Sequence, residues 1–160
     1  MGHTSTSEMY PTVKVLSVTT LDDDQAYLGK IFDRWLSAVC PNCRWNLDTR
    51  SSVESAIPVL ERDEVAILLC DSDGKSNTWR EMLSRCESLK RPPCLIVTSR
   101  SADERLWAEA LNLGAYDVLA KPFDKTEVNR IVRSACLRWS NRKPASTALG
   151  SYPSVQAATA

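Results

Sequence analysis

The chain has little of several things that whole classes of protein require. Its 160 residues include one histidine, His3, in a polar lead-in. A buried catalytic triad of the usual kind, built on a histidine base, is therefore excluded. Lys+Arg and Asp+Glu number 20 each. Without an excess of positive charge there is no global field to draw the chain to DNA, RNA or an acidic membrane. No apolar run is long enough to cross a bilayer, and Met1 to Pro11 lacks the apolar core of a signal peptide. The expected location is the cytoplasm, with neither nucleic acid nor membrane as a partner. Cys40-Pro41-Asn42-Cys43 is a lone CxxC. A zinc site needs four ligands and a second such pair is absent. The pair also follows a predicted helix, whereas a thioredoxin-type pair begins one. No internal repeat is visible.

What is there organises itself around Val65-Ala66-Ile67-Leu68-Leu69-Cys70-Asp71. Six apolar residues end at a carboxylate, bounded by Asp-Glu before and Asp-Ser-Asp-Gly after. Such a run reads as a strand buried on both faces, the kind found in parallel sheets covered by helices. Ahead of it, Val13 to Val18 reads as a strand, Leu21 to Val39 as a helix, Arg44 to Asp48 as a weak strand and Ser51 to Arg62 as a short helix containing Pro58. After it come a helix from Thr78 to Leu89, a strand from Cys94 to Val97, a helix from Ala102 to Leu113 ended by Gly114, a strand from Tyr116 to Leu119, and a last helix from Asp124 to Trp139. Five times a capping residue is followed three positions later by an acid: Thr20/Asp23, Ser51/Glu54, Thr78/Glu81, Ser101/Glu104 and Asp124/Glu127. These resemble capping boxes and mark five helix starts, each just after a strand. Five alternations of strand and helix predict an α/β fold. The expected organisation is a flexible segment 1–11, one domain over 12–142, and a disordered tail 143–160 rich in Ser, Ala, Pro and Thr.

In a parallel sheet, ligands sit beyond the carboxyl ends of the strands. Polar residues gather there: Thr19-Thr20 after the first strand, Asp71 after the third, Thr98-Ser99 after the fourth, Lys121-Pro122 after the fifth. Asp71 suits a nucleophile toward a phosphoryl group, Thr98 a donor to its oxygens, and Lys121 a neutralising cation.

This order and spacing resemble the receiver domain of two-component response regulators. Asp71, Thr98 and Lys121-Pro122 match its motif, and Leu113-Gly114-Ala115 with Lys121-Pro122-Phe123 strengthen the likeness over about residues 12–141. The resemblance implies a doubly wound, flavodoxin-like five-stranded parallel sheet of order 2-1-3-4-5. It implies a stand-alone, non-enzymatic module that accepts a phosphoryl group on Asp71 from a histidine kinase or phosphotransfer protein. It implies bound Mg²⁺, a cis Lys121-Pro122 peptide, and output through contact with a downstream protein. Homodimerisation through the fourth and fifth helices is open.

Two positions depart from the pattern. Thr19-Thr20 stand where the receiver has its metal-holding acidic pair, and Asp22, Asp23 and Asp24 follow slightly later. Asp22 and Asp23 are the candidate metal ligands beside Asp71; the alternative reading makes them first-turn acids favoured by the helix dipole. Val118 stands where receivers carry a switching Tyr or Phe, and Tyr116, two residues earlier, is expected to point the same way. A pseudo-receiver that docks without phosphorylation is thus a second reading. A third is a haloacid-dehalogenase-like phosphatase using Asp71 and Asp73, weakened because only a helix and a tail follow Lys121. Trp35 and Trp79 are expected in core faces, and Trp107 either in the core or on a partner-facing surface.

Overall fold

The computed structural model describes residues 10–74 and 78–142. Most of the expected flexible lead-in, His3 included, and the expected disordered tail lie outside the described residues. Five strands, β1 (Thr12–Val18), β2 (Arg44–Arg50), β3 (Ile67–Asp71), β4 (Cys94–Ser99) and β5 (Asp117–Ala120), pair in parallel in the order 2-1-3-4-5. Alternation along each strand divides the side chains between two cores. Val15, Ile67, Leu69, Ile96 and Leu119 face one, while Leu16, Val18, Leu68, Leu95, Val97 and Val118 face the other.

The first core is closed by α1 and α5. Helix α1 runs from Asp22–Lys30 through a π-helical segment, Ile31–Leu36, into a last turn, Ser37–Val39. Helix α5 is Lys125–Asn141. The second core is closed by α2 (Val53–Arg62), α3 (Thr78–Cys86) and α4 (Glu104–Leu113), which bring Val59, Trp79, Met82 and Ala110 onto the sheet. Among the described residues, no helix is long and apolar enough to cross a membrane.

The sequence predicted one regular helix to Val39; the π-helical segment is the difference. An extra residue in a turn sets every later side chain back by about 100° around the axis. Leu36 stays in the core, fully buried, and Val39 is turned out to 39% exposure. The Ser37 hydroxyl, donating to the Phe32 carbonyl at 3.1 Å, lies across this wide turn.

Helix starts shift by a residue or two from the predicted caps. Ser52 rather than Ser51 caps α2, forming a reciprocal box with Ser55. Asp103 rather than Ser101 caps α4, accepting from Leu106 N–H. Asp124 caps α5 as expected, accepting from Glu127 N–H. Leu21, with no side-chain cap, begins α1. Gly114 closes α4 in the left-handed region at φ 109°, where a β-carbon would be strained.

β2 is longer than predicted. The predicted strand over Arg44–Asp48 runs on to Arg50 and pairs with all of β1. Charged Arg44, Asp48 and Arg50 are what an edge strand uses to discourage further pairing.

Leu69 is fully buried in the central strand, and Leu137 is 65% exposed on α5. Leu69→Ala is expected to lower stability by about 2–5 kcal/mol, whereas Leu137→Ala should change it by less than about 0.5 kcal/mol. Urea denaturation of the two variants measures both.

Lys14 on β1 ties down Asp63, the residue after α2, at 2.5 Å. Hydrogen bonds from Arg62 and Lys14 lower the Asp63 pKa to about 2. A depressed carboxyl stabilises the fold above its unfolded value and loses that contribution as pH falls through the folded one. Wild type should therefore lose part of its stability between about pH 4 and about pH 2. Asp63→Asn should flatten that part of the curve in acid titrations of the unfolding midpoint.

Candidate functional site

The alternation that builds the first core also builds the site. Asp71 follows Leu69, Thr98 follows Ile96 and Lys121 follows Leu119, each by two residues. Ile67, Leu69 and Asp71 pair across the ladder with Cys94, Ile96 and Thr98. The three polar side chains thus emerge on one side of the sheet at its carboxyl edge. All three are buried, at 5%, 4% and 7% exposure. The Lys121-Pro122 peptide is cis.

Lys121 holds the site together. Its ammonium lies 2.5 Å from Asp71 Oδ1, 2.6 Å from Asp24 Oδ2 and 3.1 Å from Asp73 Oδ2. Burial pulls the lysine pKa down, and the bonds to these three carboxylates overcome it, leaving the value raised. For Asp73, burial pushes the pKa up. Bonds from Lys121, from Arg100 N–H and from the Ser99 hydroxyl outweigh that, leaving it lowered. The other Asp71 oxygen faces Gly74 N–H at 3.3 Å. A cavity of about 200 Å³ opens beside Asp71, walled by Thr19, Thr20, Ser52, Glu54 and Glu81. At about 30 Å³ per water, it has room for a tetrahedral anion and its solvent.

The chain matches no family model, and no curated protein matches it in sequence. Solved structures do match. The receiver domain of an HD-domain protein from Pseudomonas fluorescens Pf-5 is 17% identical, covering 82% of this chain and 99% of its own, at a TM-score of 0.66. A response regulator from Thermotoga maritima is 16% identical, over 79% of this chain and 98% of its own, at 0.67. The receiver domain of the Francisella response regulator 1452 is 18% identical, over 79% and 98%, at 0.62. This chain has the receiver fold.

Within that fold the two departures take structural form. Thr19 and Thr20 end β1 where receivers carry acids, and the Thr19 hydroxyl accepts from Leu21 N–H at 3.1 Å. Asp22 and Asp23, the candidate metal ligands, are exposed. Asp24 is the acid of that turn that reaches the site. Residues advance 100° around a helix, and Asp24 lies one turn ahead of buried Leu28, so it shares the inward face while its two neighbours do not. Asp24 and Asp73 were both missed as partners of Lys121. The i, i+4 relation to Leu28 was a readable signal for Asp24. None existed for Asp73, whose carboxylate arrives through the loop after β3.

The magnesium ion that the fold family implies does not fit this donor set. Mg²⁺ takes oxygens in near-octahedral array and usually one or two carboxylates. The acids that converge here surround the Lys121 ammonium instead. Among the described residues, no group of three or more acidic, cysteine or histidine side chains is arranged to hold a metal.

Val118 lies in the second core, but Tyr116 does not point its way. It packs on the first core, its hydroxyl 2.8 Å from Ser134 Oγ. The strand begins only at Asp117, so alternation does not extend back to Tyr116. The Cys40/Cys43 pair precedes β2, at the opposite edge of the sheet, and its thiols are free. Trp79 is buried, Trp35 is half-buried under the Lys125 ammonium, and Trp107 is 46% exposed on α4.

Removing the lysine leaves three carboxylates facing one another. Lys121→Met is expected to cost about 3–5 kcal/mol near neutral pH, as for a broken buried pair. In wild type the raised lysine pKa means its contribution is complete below the ordinary lysine value. That contribution fades only as pH rises through the higher folded one. Urea midpoints of both proteins at pH 7 and above the ordinary lysine value of about 10.4 test this, the gap narrowing at the higher pH.

Proposed function

We propose that the chain is a receiver module in phosphorelay signal transduction, taking a phosphoryl group on Asp71 and signalling by protein–protein contact. The observation that carries this reading is the shared burial of Asp71, Thr98 and Lys121 at adjoining strand ends, with the lysine ammonium on the acid. Asp71 Oδ attacks the phosphorus of an incoming phosphohistidine or acyl phosphate. The new O–P bond forms as the bond to the leaving nitrogen or oxygen breaks. In this reading Thr98 donates its hydroxyl to an equatorial oxygen, and Lys121 balances charge that builds on the transferring group. The proposed donors are a histidine kinase or a phosphotransfer protein. A downstream protein, as yet unidentified, receives the output, and exposed Trp107 marks α4 as a candidate face for it or for a second copy of the chain.

A second reading, a pseudo-receiver that docks without phosphorylation, is favoured by Thr19 and Thr20 and by the misfit to magnesium. The phosphatase reading is disfavoured by Asp73. Its carboxylate is taken up by Lys121, the Ser99 hydroxyl and Arg100 N–H rather than held free for proton transfer.

The deciding experiment is incubation with acetyl phosphate, with millimolar Mg²⁺ and separately with EDTA, followed by intact mass. The active reading expects one phosphoryl adduct in wild type and none in Asp71→Asn. An unmodified wild type in both arms, also after incubation with a panel of phosphohistidine donors, would establish the docking module instead.

A further inference from the structure

An ammonium has three protons to donate, and three carboxylates surround that of Lys121. The cation is therefore fully subscribed before any phosphoryl group arrives. Phosphorylation of Asp71 would replace the single charge of its carboxylate by about 1.5–2 negative charges on three acceptor oxygens, set further out from the end of β3. These oxygens and the remaining acids then compete for the same three protons.

Asp73 is the one whose position invites replacement. Its contact with Lys121 is the longest of the three, at 3.1 Å, and its side chain is the most exposed, at 20% against 14% for Asp24 and 4% for Asp71. It sits two residues past Asp71, in the loop after β3. Its remaining bonds are to donors that an anion would use: the Ser99 hydroxyl at 3.0 Å and Arg100 N–H, at 3.1 Å to Oδ1 and 2.9 Å to Oδ2. Ser99 and Arg100 form the exit from β4 toward α4. Ser101 N–H in turn donates to the Ser99 hydroxyl at 3.0 Å. The carboxylate thus joins the buried cation of the site to the chain that leads into α4.

We propose that Asp73 is an internal competitor for Lys121, displaced when Asp71 is phosphorylated, and that its departure releases the backbone at Arg100. The inference rests on the receiver reading of Asp71. It gives the protein a way to carry occupancy of the site to α4 in a chain whose Val118 lacks the ring of a switching aromatic. Asp73 acts here as a positioning residue, through Lys121 and Arg100 N–H, and takes no part in bond making.

The test follows the rate of adduct formation with acetyl phosphate, in which Asp71 gains the phosphoryl group and acetate leaves. Asp73→Asn keeps the shape and removes the competing charge. It should raise the initial rate by roughly fivefold or more, Asp73→Ser should do likewise, and Asp73→Glu should return it toward wild type. Amide exchange supplies a readout independent of rate. Arg100 N–H should be protected in unmodified wild type, and should exchange faster both in wild type after phosphorylation and in unmodified Asp73→Ser. Equal or slower phosphorylation of the folded Asn and Ser variants, or unchanged protection of Arg100 on phosphorylation, overturns the proposal. Absence of an Asp71 adduct in wild type and every Asp73 variant removes the receiver reading itself, and the inference with it.

Discussion

A lysine ammonium only 2% exposed must be matched by negative charge in place, because burying it alone would be costly. Here the match is threefold, and it draws the start of α1 and the end of β3 to the lysine that follows β5. Asp24 comes from the first turn of α1, Asp71 from the end of β3 and Asp73 from the loop beyond it. Each must be delivered by the fold to within hydrogen-bond reach of one nitrogen. The carboxyl edge of the sheet is thus held by charge, while the two apolar cores hold the rest.

The same arrangement bears on chemistry. A carboxylate in contact with a buried cation is in the right setting to face an anionic phosphoryl group, since the cation offsets repulsion between them. The cation is also shared, so the acid that would react and the acids that would not are in competition. The fold reaches this arrangement without the acidic pair of the receiver pattern. Charge balance around Asp71 is consequently set by an ammonium, with Thr19 and Thr20 contributing only hydroxyls.

Outside the site, aromatic and cationic side chains brace the helices against the sheet. The Arg91 guanidinium lies 3.6 Å over the Trp139 ring and donates to its carbonyl, fastening the chain before β4 to the end of α5. Phe32 meets Trp45 edge-on, fastening the π-helical segment of α1 to the edge strand. These contacts fasten both helices of the first core, while on the other face Trp107 stays 46% exposed on α4.

Much of this was legible in the residues themselves. Continuous apolar runs ending in Asp71, Thr98 and Lys121 specify buried parallel strands, because a strand covered on both faces has no room for polar alternation. Gly114 and Asp124 mark helix ends by local chemistry alone. Other features depended on tertiary structure. β2 extends past the predicted Asp48 to Arg50 because β1 offers it an edge along its whole length. The π-helical segment rotates the end of α1, so that Val39, which helical spacing would place with Leu28 and Phe32, is turned out to the surface. Asp24 is chosen over Asp22 and Asp23 by the rotation of α1 on the sheet, and Asp73 meets Lys121 because a loop returns over the strand ends. Local pattern determined which acids and which lysine lay at the carboxyl edge; only packing decided which of them share a proton donor, because that depends on angstrom distances between segments far apart in sequence.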